Sequence, residues 1–134
     1  MERRKLLLAS PDTTVGKAAR RMAEKQTGAI LVVADDQVIG IFTERDALFR
    51  VIAKGLDPNA TQLGDVMTAA PKTIAPDKSF GHAMLVMHEN GFRHLPVIDN
   101  GKPIGIISAR DALDPDLEEF VAEERRRKQF QLTR

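Results

Sequence analysis

The sequence of 134 residues contains no cysteine, tryptophan or tyrosine. Disulfide bonds, thiol nucleophiles and thiolate metal sites are therefore excluded. Among large aromatic side chains, only the six phenylalanines could stack on a nucleobase. No apolar run approaches membrane-spanning length, and the stretch after the basic start stops at Ala9, which is too short for a signal peptide. We therefore expect a cytoplasmic protein with no membrane partner.

The chain also lacks an excess of charge of either sign. Lysine and arginine total 20 and aspartate and glutamate total 19, for a net charge of +1. This balance does not favour nucleic acid as the main partner. Hydrophobic residues make up 43% and charged residues 29%, as in ordinary globular proteins, and the length suffices for a compact domain with a real core.

The chain contains an internal repeat with a constant offset of 65 residues. The segment IGIFTERDAL at 39–48 recurs as IGIISARDAL at 104–113. The same offset, without a gap, pairs further residues of the two halves: Pro11 with Pro76, Gly16 with Gly81, Ala18 with Ala83, Met22 with Met87 and Val32 with Val97. Because chance similarity would not hold one register over this length, the chain is two copies of one unit joined by a linker.

Each copy has the pattern of a helix followed by a β-hairpin. Thr14 and Ser79 stand at the N-cap positions of the predicted helices. Residues at helical spacing then predict one buried face: Val15, Ala18, Ala19, Met22 and Ala23 in the first copy, and Phe80, Ala83, Met84, Met87 and His88 in the second. The runs 29–33 and 94–98 predict strands, turn residues follow them, and 38–42 and 103–107 predict the returning strands.

Further elements are expected around each hairpin. A short strand is predicted before each first helix, at 6–9 and 72–75. A second helix is predicted from about Glu44 to Lys54, ending at Gly55, and its expected buried residues are Ala47, Leu48, Val51 and Ile52. The equivalent helix of the second copy is cut short, because Pro115 disfavours helix at the residue before it.

The linker between the copies has apolar anchors of its own. Leu63, Val66 and Met67 could form one apolar helical turn. A fully flexible linker would carry fewer such residues, so we expect an ordered crossover.

The repeated motif is Gly-apolar-apolar-Thr/Ser-x-Arg-Asp, at 40–46 and 105–111. It lies where a strand ends and a helix begins, and free N–H groups and the helix dipole favour an anion there. Thr43 can bond phosphate or sugar, Arg45 can neutralise phosphate, and Asp46 can accept hydrogen bonds from two ribose hydroxyls. In the second copy the same groups are Ser108, Arg110 and Asp111.

The same spacing has a purely structural interpretation. A threonine followed three residues later by an acid resembles a capping box, in which Thr43 and Asp46 only begin a helix. Arg45 would then be an ordinary surface residue. Capping and ligand binding are compatible, because both use the same exposed N–H groups.

With VMT at 66–68 and FRHLPV at 92–97, the two motifs resemble those of tandem cystathionine-β-synthase (CBS) domain proteins, from about Leu6 to Leu113. The expected fold is α/β (α+β), with two CBS units of β-α-β-β-α type packed around a pseudo-two-fold axis and a C-terminal helix. The expected boundaries are 1–55 for the first unit, 56–71 for the crossover linker, 72–113 for the second unit and 114–134 for the C-terminal helical tail.

In the family that the chain resembles, clefts between two CBS units bind AMP, ADP, ATP, S-adenosylmethionine and sometimes NAD. The resemblance implies ribose and phosphate contacts at Thr43, Asp46, Ser108 and Asp111. It implies adenine contacts at four further residues, which are Thr73, Ile74, Leu95 and Pro96.

The two copies differ at one place that bears on these clefts. Arg93 and His94 add a positive edge to the second copy, where the first has Gly28 and Ala29. The cleft built around Ser108, Arg110 and Asp111 is therefore expected to bind AMP, and the first cleft to bind differently or to stay empty.

Metal binding is not expected. His82, His88 and His94 are spaced by six residues each, so no two lie on adjacent turns of a helix. No cofactor is expected to be required, and the adenine nucleotide is a regulatory ligand.

The tail is acidic first and basic later, which complements a helix dipole. Leu113, Leu117, Phe120 and Val121 form an apolar stripe that should dock on something. This stripe, with apolar helix faces left over on both copies, predicts a homodimer.

The leading hypothesis is a regulatory module that binds an adenine nucleotide, catalyses no reaction and signals to a regulated protein. One alternative is a structural oligomerisation module with vestigial clefts. Another is a small nucleotide-acting enzyme, against which no nucleophile–base pair or metal cluster is visible and the repeated motif specifies one carboxylate in each copy.

Overall fold

The computed structural model describes residues 6–109. The predicted tail at 114–134 and the motif residues Arg110 and Asp111 lie outside the described residues, as does the second helix of the second copy. Residues 6–55 are called the first repeat below, and residues 72–109 the second repeat.

The first repeat begins with strand β1 (Leu8–Ala9) and helix α1 (Val15–Lys25). Helix α1 starts where predicted, because the Thr14 hydroxyl accepts a hydrogen bond from the Lys17 N–H at 3.2 Å. Its buried residues include Val15, Ala18 and Met22, whereas Ala19 and Ala23 are exposed. The buried face is therefore narrower than the spacing predicted.

A hairpin follows, formed by β2 (Ala29–Ala34) and β3 (Gln37–Thr43). Asp35 and Asp36 turn the chain with φ of 52° and 62°, the conformation that a tight two-residue hairpin needs. Strand β1 lies parallel to the outer edge of β2. The other edge of the sheet is completed by β4 (Thr68–Ala69), which is antiparallel to β3 and comes from the crossover.

The helix predicted at 44–54 differs from expectation. Helix α2 (Glu44–Asp46) continues into a π-helical segment (Ala47–Ile52). Val51 is buried as predicted, but Leu48 and Ile52 are 51% and 69% exposed, so the prediction that they are buried is wrong. Bonding between residues five apart changes the angular spacing of side chains, and α-helical periodicity no longer identifies the buried face.

The crossover packs against the first repeat. Helix α3 (Leu63–Val66) buries Leu63 completely and Val66 almost completely. The Leu63 N–H donates to the Thr13 carbonyl at 2.9 Å, and the Val15 N–H donates to the Thr61 carbonyl at 2.9 Å. These bonds explain why the segment is ordered, as its apolar anchors predicted.

The second repeat reproduces the first at the same offset. It contains α4 (Phe80–Asn90), β5 (His94–Asp99) and β6 (Lys102–Ser108). Ser79 caps α4 by accepting from the His82 N–H at 3.0 Å. The two hairpins even share the position of a register shift, between Val32 and Val33 in one and between Val97 and Ile98 in the other.

The strand predicted at 72–75 is reduced to a single parallel bridge between Ile74 and Val97. That bridge corresponds to the pairing of Ala9 with Val32 in the first repeat. Pro71 and Pro76 lie on either side of the segment, and proline has no N–H with which to extend the pairing.

The two repeats pack through their hairpins. Each repeat has its own apolar core, and a third buried cluster, of Ala29, Leu31, Ile41 and Ile106, joins them. Ile41 and Ile106 occupy the same position of the repeat, so the interface contains equivalent residues from both halves. This is the pseudo-two-fold packing of two α/β units that the sequence predicted. None of the described helices is long and apolar enough to cross a membrane.

Candidate functional site

A cleft of about 620 Å³ lies between the repeats. Its volume is in the range of small-molecule sites. It combines the first-repeat motif, the end of the crossover and the start of β5, and the lining residues are Ile41, Thr43, Glu44, Arg45, Asp46, Phe49, Arg50, Thr68, Ala70, Pro71, Lys72, Gly91, Phe92, Arg93 and His94. Five of the residues predicted from sequence meet here: Thr43, Arg45, Asp46, Arg93 and His94.

The motif of the first repeat forms the capping box that its spacing predicted. The Asp46 N–H donates to Thr43 Oγ1 at 3.3 Å, and the Thr43 N–H donates to Asp46 Oδ2 at 2.9 Å. The Thr43 hydroxyl lies 3.2 Å from the same carboxylate oxygen. This reciprocal pair satisfies two N–H groups at the start of α2.

The second oxygen of Asp46 is engaged from two other directions. The Thr68 hydroxyl donates to Oδ1 at 3.2 Å, and Arg50 Nε lies 3.6 Å from it. Arg50 also donates through Nη1 to the carbonyls of Val66 and Met67, at 3.3 and 2.8 Å. The 7%-exposed Asp46 therefore ties the motif, the π-helical segment and the crossover together. A ribose hydroxyl would have to share or replace one of these partners.

The cleft is rich in positive charge. Arg45, Arg50, Lys72 and Arg93 line it, against the two carboxylates of Glu44 and Asp46. These cations suit a ligand that carries phosphate.

Two lining residues make further contacts within the cleft. The Arg45 guanidinium stacks over the Phe49 ring, 5.5 Å from its centroid. His94 Nε2 lies 3.8 Å from Glu44 Oε1, which is an ion pair whenever the imidazole is protonated.

The other predicted residues lie elsewhere. Thr73 is exposed, and Ile74, Leu95 and Pro96 are buried, the last two completely. Leu95 and Ile74 belong to the core of the second repeat. None of the four lines this cleft. Ser108 is half-buried at the end of β6, opposite His94 in the hairpin register.

The structure places Arg93 and His94 in the cleft of the first-repeat motif, a pairing that the sequence analysis did not predict. Ser108 does not line this cleft, although it is the partner of His94 in the hairpin register. The pairing follows from the packing of the hairpins, which brings the end of β3 in one repeat against the start of β5 in the other. The predicted site at Arg110 and Asp111 lies outside the described residues.

Several lining residues were not predicted. Glu44 stands inside the motif, and Arg50 follows Asp46 by four residues, a spacing at which helical side chains meet. These two could have been found from the sequence. Thr68 and Lys72 could not, because the path of the crossover over the motif is set by tertiary packing.

Gly40 serves close packing within the protein. A Cβ at Gly40 would lie 2.3 Å from Sδ of Met67, and Gly40 pairs with Ala69 in the sheet. The motif glycine therefore allows the crossover to approach the strand. Among residues 6–109, no group of three or more His, Cys, Asp or Glu is placed to hold a metal ion.

Comparison with known proteins agrees with this architecture. The family model described as CBS domain matches the chain twice, at residues 1–53 and 63–117. The chain belongs to the CBS domain family. The protein MK0525 of Methanopyrus kandleri is 34% identical over 134 residues, which cover 97% of this chain and 68% of that protein.

Another CBS relative is much longer than the chain. CBSCBSPB1 of Arabidopsis thaliana is 41% identical over 95 residues, which cover 71% of this chain but 18% of that protein. The chain thus spans only a small part of this relative.

Solved CBS structures share the fold. The CBS-domain containing protein ATU1752 from Agrobacterium tumefaciens is 33% identical with a TM-score of 0.73, and the match covers 81% of this chain and 86% of that one. PAE2072 from Pyrobaculum aerophilum, complexed with AMP, has a TM-score of 0.79 at 21% identity, covering 88% and 92%. The CBS-CP12 protein of bloom-forming cyanobacteria, described as hexameric, has a TM-score of 0.74 at 26% identity, covering 82% and 65%.

Proposed function

We propose that this CBS pair is a regulatory sensor that binds an adenine nucleotide, AMP first among them, in the cleft between its repeats and catalyses no reaction. The observation that carries the proposal is the meeting of the motif residues Thr43 and Asp46 with Arg93 and His94 in one cleft of about 620 Å³. ADP, ATP, S-adenosylmethionine and NAD are the alternative ligands.

Each part of a nucleotide has a suitable counterpart. Phosphate would be neutralised by the arginines, of which Arg93 is exposed on the second repeat. Ribose hydroxyls would bond Asp46 and Thr43. The base would pack on apolar lining such as Phe92 and Pro71. The AMP complex of PAE2072 supports the proposal at the level of the fold.

Titration calorimetry with AMP, ATP and NAD tests the proposal. We expect saturable heat with AMP, and weaker binding when Arg93 is replaced by Gln. Arg20→Gln is the matched control, because Arg20 is exposed on α1 and does not line the cleft. No heat with any of the three ligands at millimolar concentration would contradict the sensor proposal. Analysis of products after long incubation would reveal an enzyme.

A structural oligomerisation module with vestigial clefts is the second candidate. One observation favours it: hydrogen bonds or ion pairs with groups of the protein itself, on Thr43, Thr68 and Arg50, engage both oxygens of Asp46. The same titration separates the two candidates.

We further propose that the sensor is a homodimer that signals to a regulated protein. Support comes from four exposed apolar side chains within residues 48–56, which are Leu48, Phe49, Ile52 and Leu56, with exposures from 41% to 69%. Apolar side chains grouped in this way are typical of an interface. A domain organisation of 1–55, 56–71, 72–113 and 114–134 remains part of the proposal.

A further inference from the structure

The two carboxylates of the cleft differ in their surroundings. Asp46 is 7% exposed and held by Thr43, Thr68 and Arg50. The Glu44 side chain is 64% exposed, and its carboxylate reaches across the repeat boundary towards His94, whose side chain is 9% exposed. Glu44 is thus a largely exposed anion in a cleft that four cationic side chains also line.

This arrangement is specific to one half of the molecule. The backbone frame is the same in both repeats, since the Glu44 N–H donates to the Gly28 carbonyl at 2.9 Å and the Ala109 N–H to the Arg93 carbonyl at 2.8 Å. The side chains on this frame differ. In the first repeat Glu44 lies beside Gly28. In the second repeat the equivalent residues are Ala109 and Arg93.

The Glu44 carboxylate occupies space that a side chain at position 28 would fill. A Cβ at Gly28 would lie 2.3 Å from Glu44 Oε2 and 2.7 Å from its carboxyl carbon. Any larger residue there would have to displace the carboxylate. The absence of a side chain at Gly28 therefore leaves room for the Glu44 carboxylate near His94.

We propose that Glu44 is a specificity-determining residue: a tethered anion that competes with ligand phosphate for His94 and the neighbouring arginines, so that the cleft selects against highly charged ligands. This inference rests on the proposed nucleotide site and deepens it. With Glu44 present, each phosphate group added to the ligand would raise the binding affinity less than the cations of the cleft would raise it alone.

Coulomb's law gives the size of the effect. Two unit charges 4 Å apart interact by about 1 kcal/mol in water, which corresponds to about five-fold in affinity. Because Glu44 is largely exposed, the aqueous value applies rather than the larger one for buried charges. The effect should grow with the charge of the ligand and fall with added salt.

The test compares three ligands of rising charge on two proteins. Adenosine, AMP and magnesium-free ATP are titrated by calorimetry into the wild-type chain and the Glu44→Gln variant, which keeps the side-chain shape and removes the charge. We expect Glu44→Gln to bind AMP about five-fold more tightly than the wild type does, and to show a larger gain for ATP. Its affinity for adenosine should stay within about two-fold of wild type. The gain for AMP should shrink at high salt.

Two further variants sharpen the comparison. Glu24→Gln makes the same change of net charge on the exposed side of α1, away from the cleft, and should leave all three affinities unchanged. Glu44→Ala reproduces the residue that the second repeat carries as Ala109, and should show the same graded gain as Glu44→Gln.

The outcomes separate this inference from the proposed function. An equal gain for adenosine and ATP, or weaker AMP binding in Glu44→Gln, would overturn the role of Glu44 while leaving the nucleotide site intact. An unchanged AMP affinity in both Glu44 variants would do the same. If neither protein bound any of the three ligands, the proposed function would fail and this inference with it.

Discussion

The hydroxyl of Thr68, in the crossover strand, donates a hydrogen bond to Oδ1 of Asp46, in the motif of the first repeat, at 3.2 Å. The two residues are 22 positions apart. Their contact makes the proposed ribose-binding carboxylate part of the framework that holds the crossover to the first repeat. Ligand binding at Asp46 would therefore act on the same hydrogen bonds that fix β4.

Replacing Asp46 with alanine is expected to lower the free energy of unfolding by about 1–3 kcal/mol, because the capping box and the partner of Thr68 are both lost. Denaturant unfolding measures this loss. Asp77→Ala, at an exposed position outside the described helices and strands, is the control and should change stability by less than about 0.5 kcal/mol. Equal stability of the two variants would show that the cap contributes nothing.

Gly40→Ala should destabilise the protein by about 1 kcal/mol, since the flexible Met67 side chain, whose Sδ would lie 2.3 Å from the new Cβ, has to shift. Thermal or denaturant unfolding measures the loss. In a Met67→Ala background the same substitution should cost clearly less, because the obstructing side chain is gone. Additive losses in this double-mutant cycle would argue against the steric explanation.

The two motif aspartates should contribute unequally to AMP affinity. The sequence alone favoured Asp111, but Arg93 and His94 line the cleft of Asp46, so we expect Asp46→Ala to cost more. Loss of two ribose hydrogen bonds corresponds to about 2–3 kcal/mol, or some tens-fold in affinity. Calorimetry on both variants, at a temperature where each is folded, gives the comparison. A larger loss of AMP affinity in Asp111→Ala would indicate that the main AMP site lies at the second motif.

Ile52→Glu is expected to weaken the proposed homodimer, because it puts a charge among the exposed apolar side chains of residues 48–56, where Ile52 is 69% exposed. Sedimentation velocity at micromolar concentration measures the association. Ala23→Glu, on the exposed side of α1, should leave it unchanged. A wild-type chain that sediments as a monomer would contradict the dimer itself.

A chain that ends at Leu113 should still fold, yet dimerise less well, since the apolar residues Leu117, Phe120 and Val121 are removed. Their burial would contribute a few kcal/mol at most, by order of magnitude. The melting temperature and the dimer dissociation constant are measured together. If both stayed at the full-length values, the tail would have no part in assembly.

Much of the fold followed from local pattern in the sequence. The repeat is read directly from a constant offset of 65 residues between similar segments. The caps at Thr14 and Ser79 and the hairpin turns act between residues close together along the chain, so periodicity and turn chemistry identify them. The capping box of Thr43 and Asp46 was predictable for the same reason. The π-helical segment was not, because the sequence pattern of 44–54 was equally compatible with an α-helix.

The sequence by itself determined that there are two repeats, which motif each carries, and that cationic and hydroxyl groups accompany an aspartate there. Tertiary structure alone decided which groups share a cleft. It joined Thr43 and Asp46 to Arg93 and His94 of the other repeat, and it placed Glu44 against Gly28. The physical reason is the burial of Ile41 and Ile106 between the hairpins, a contact between distant residues that fixes the register of one repeat on the other.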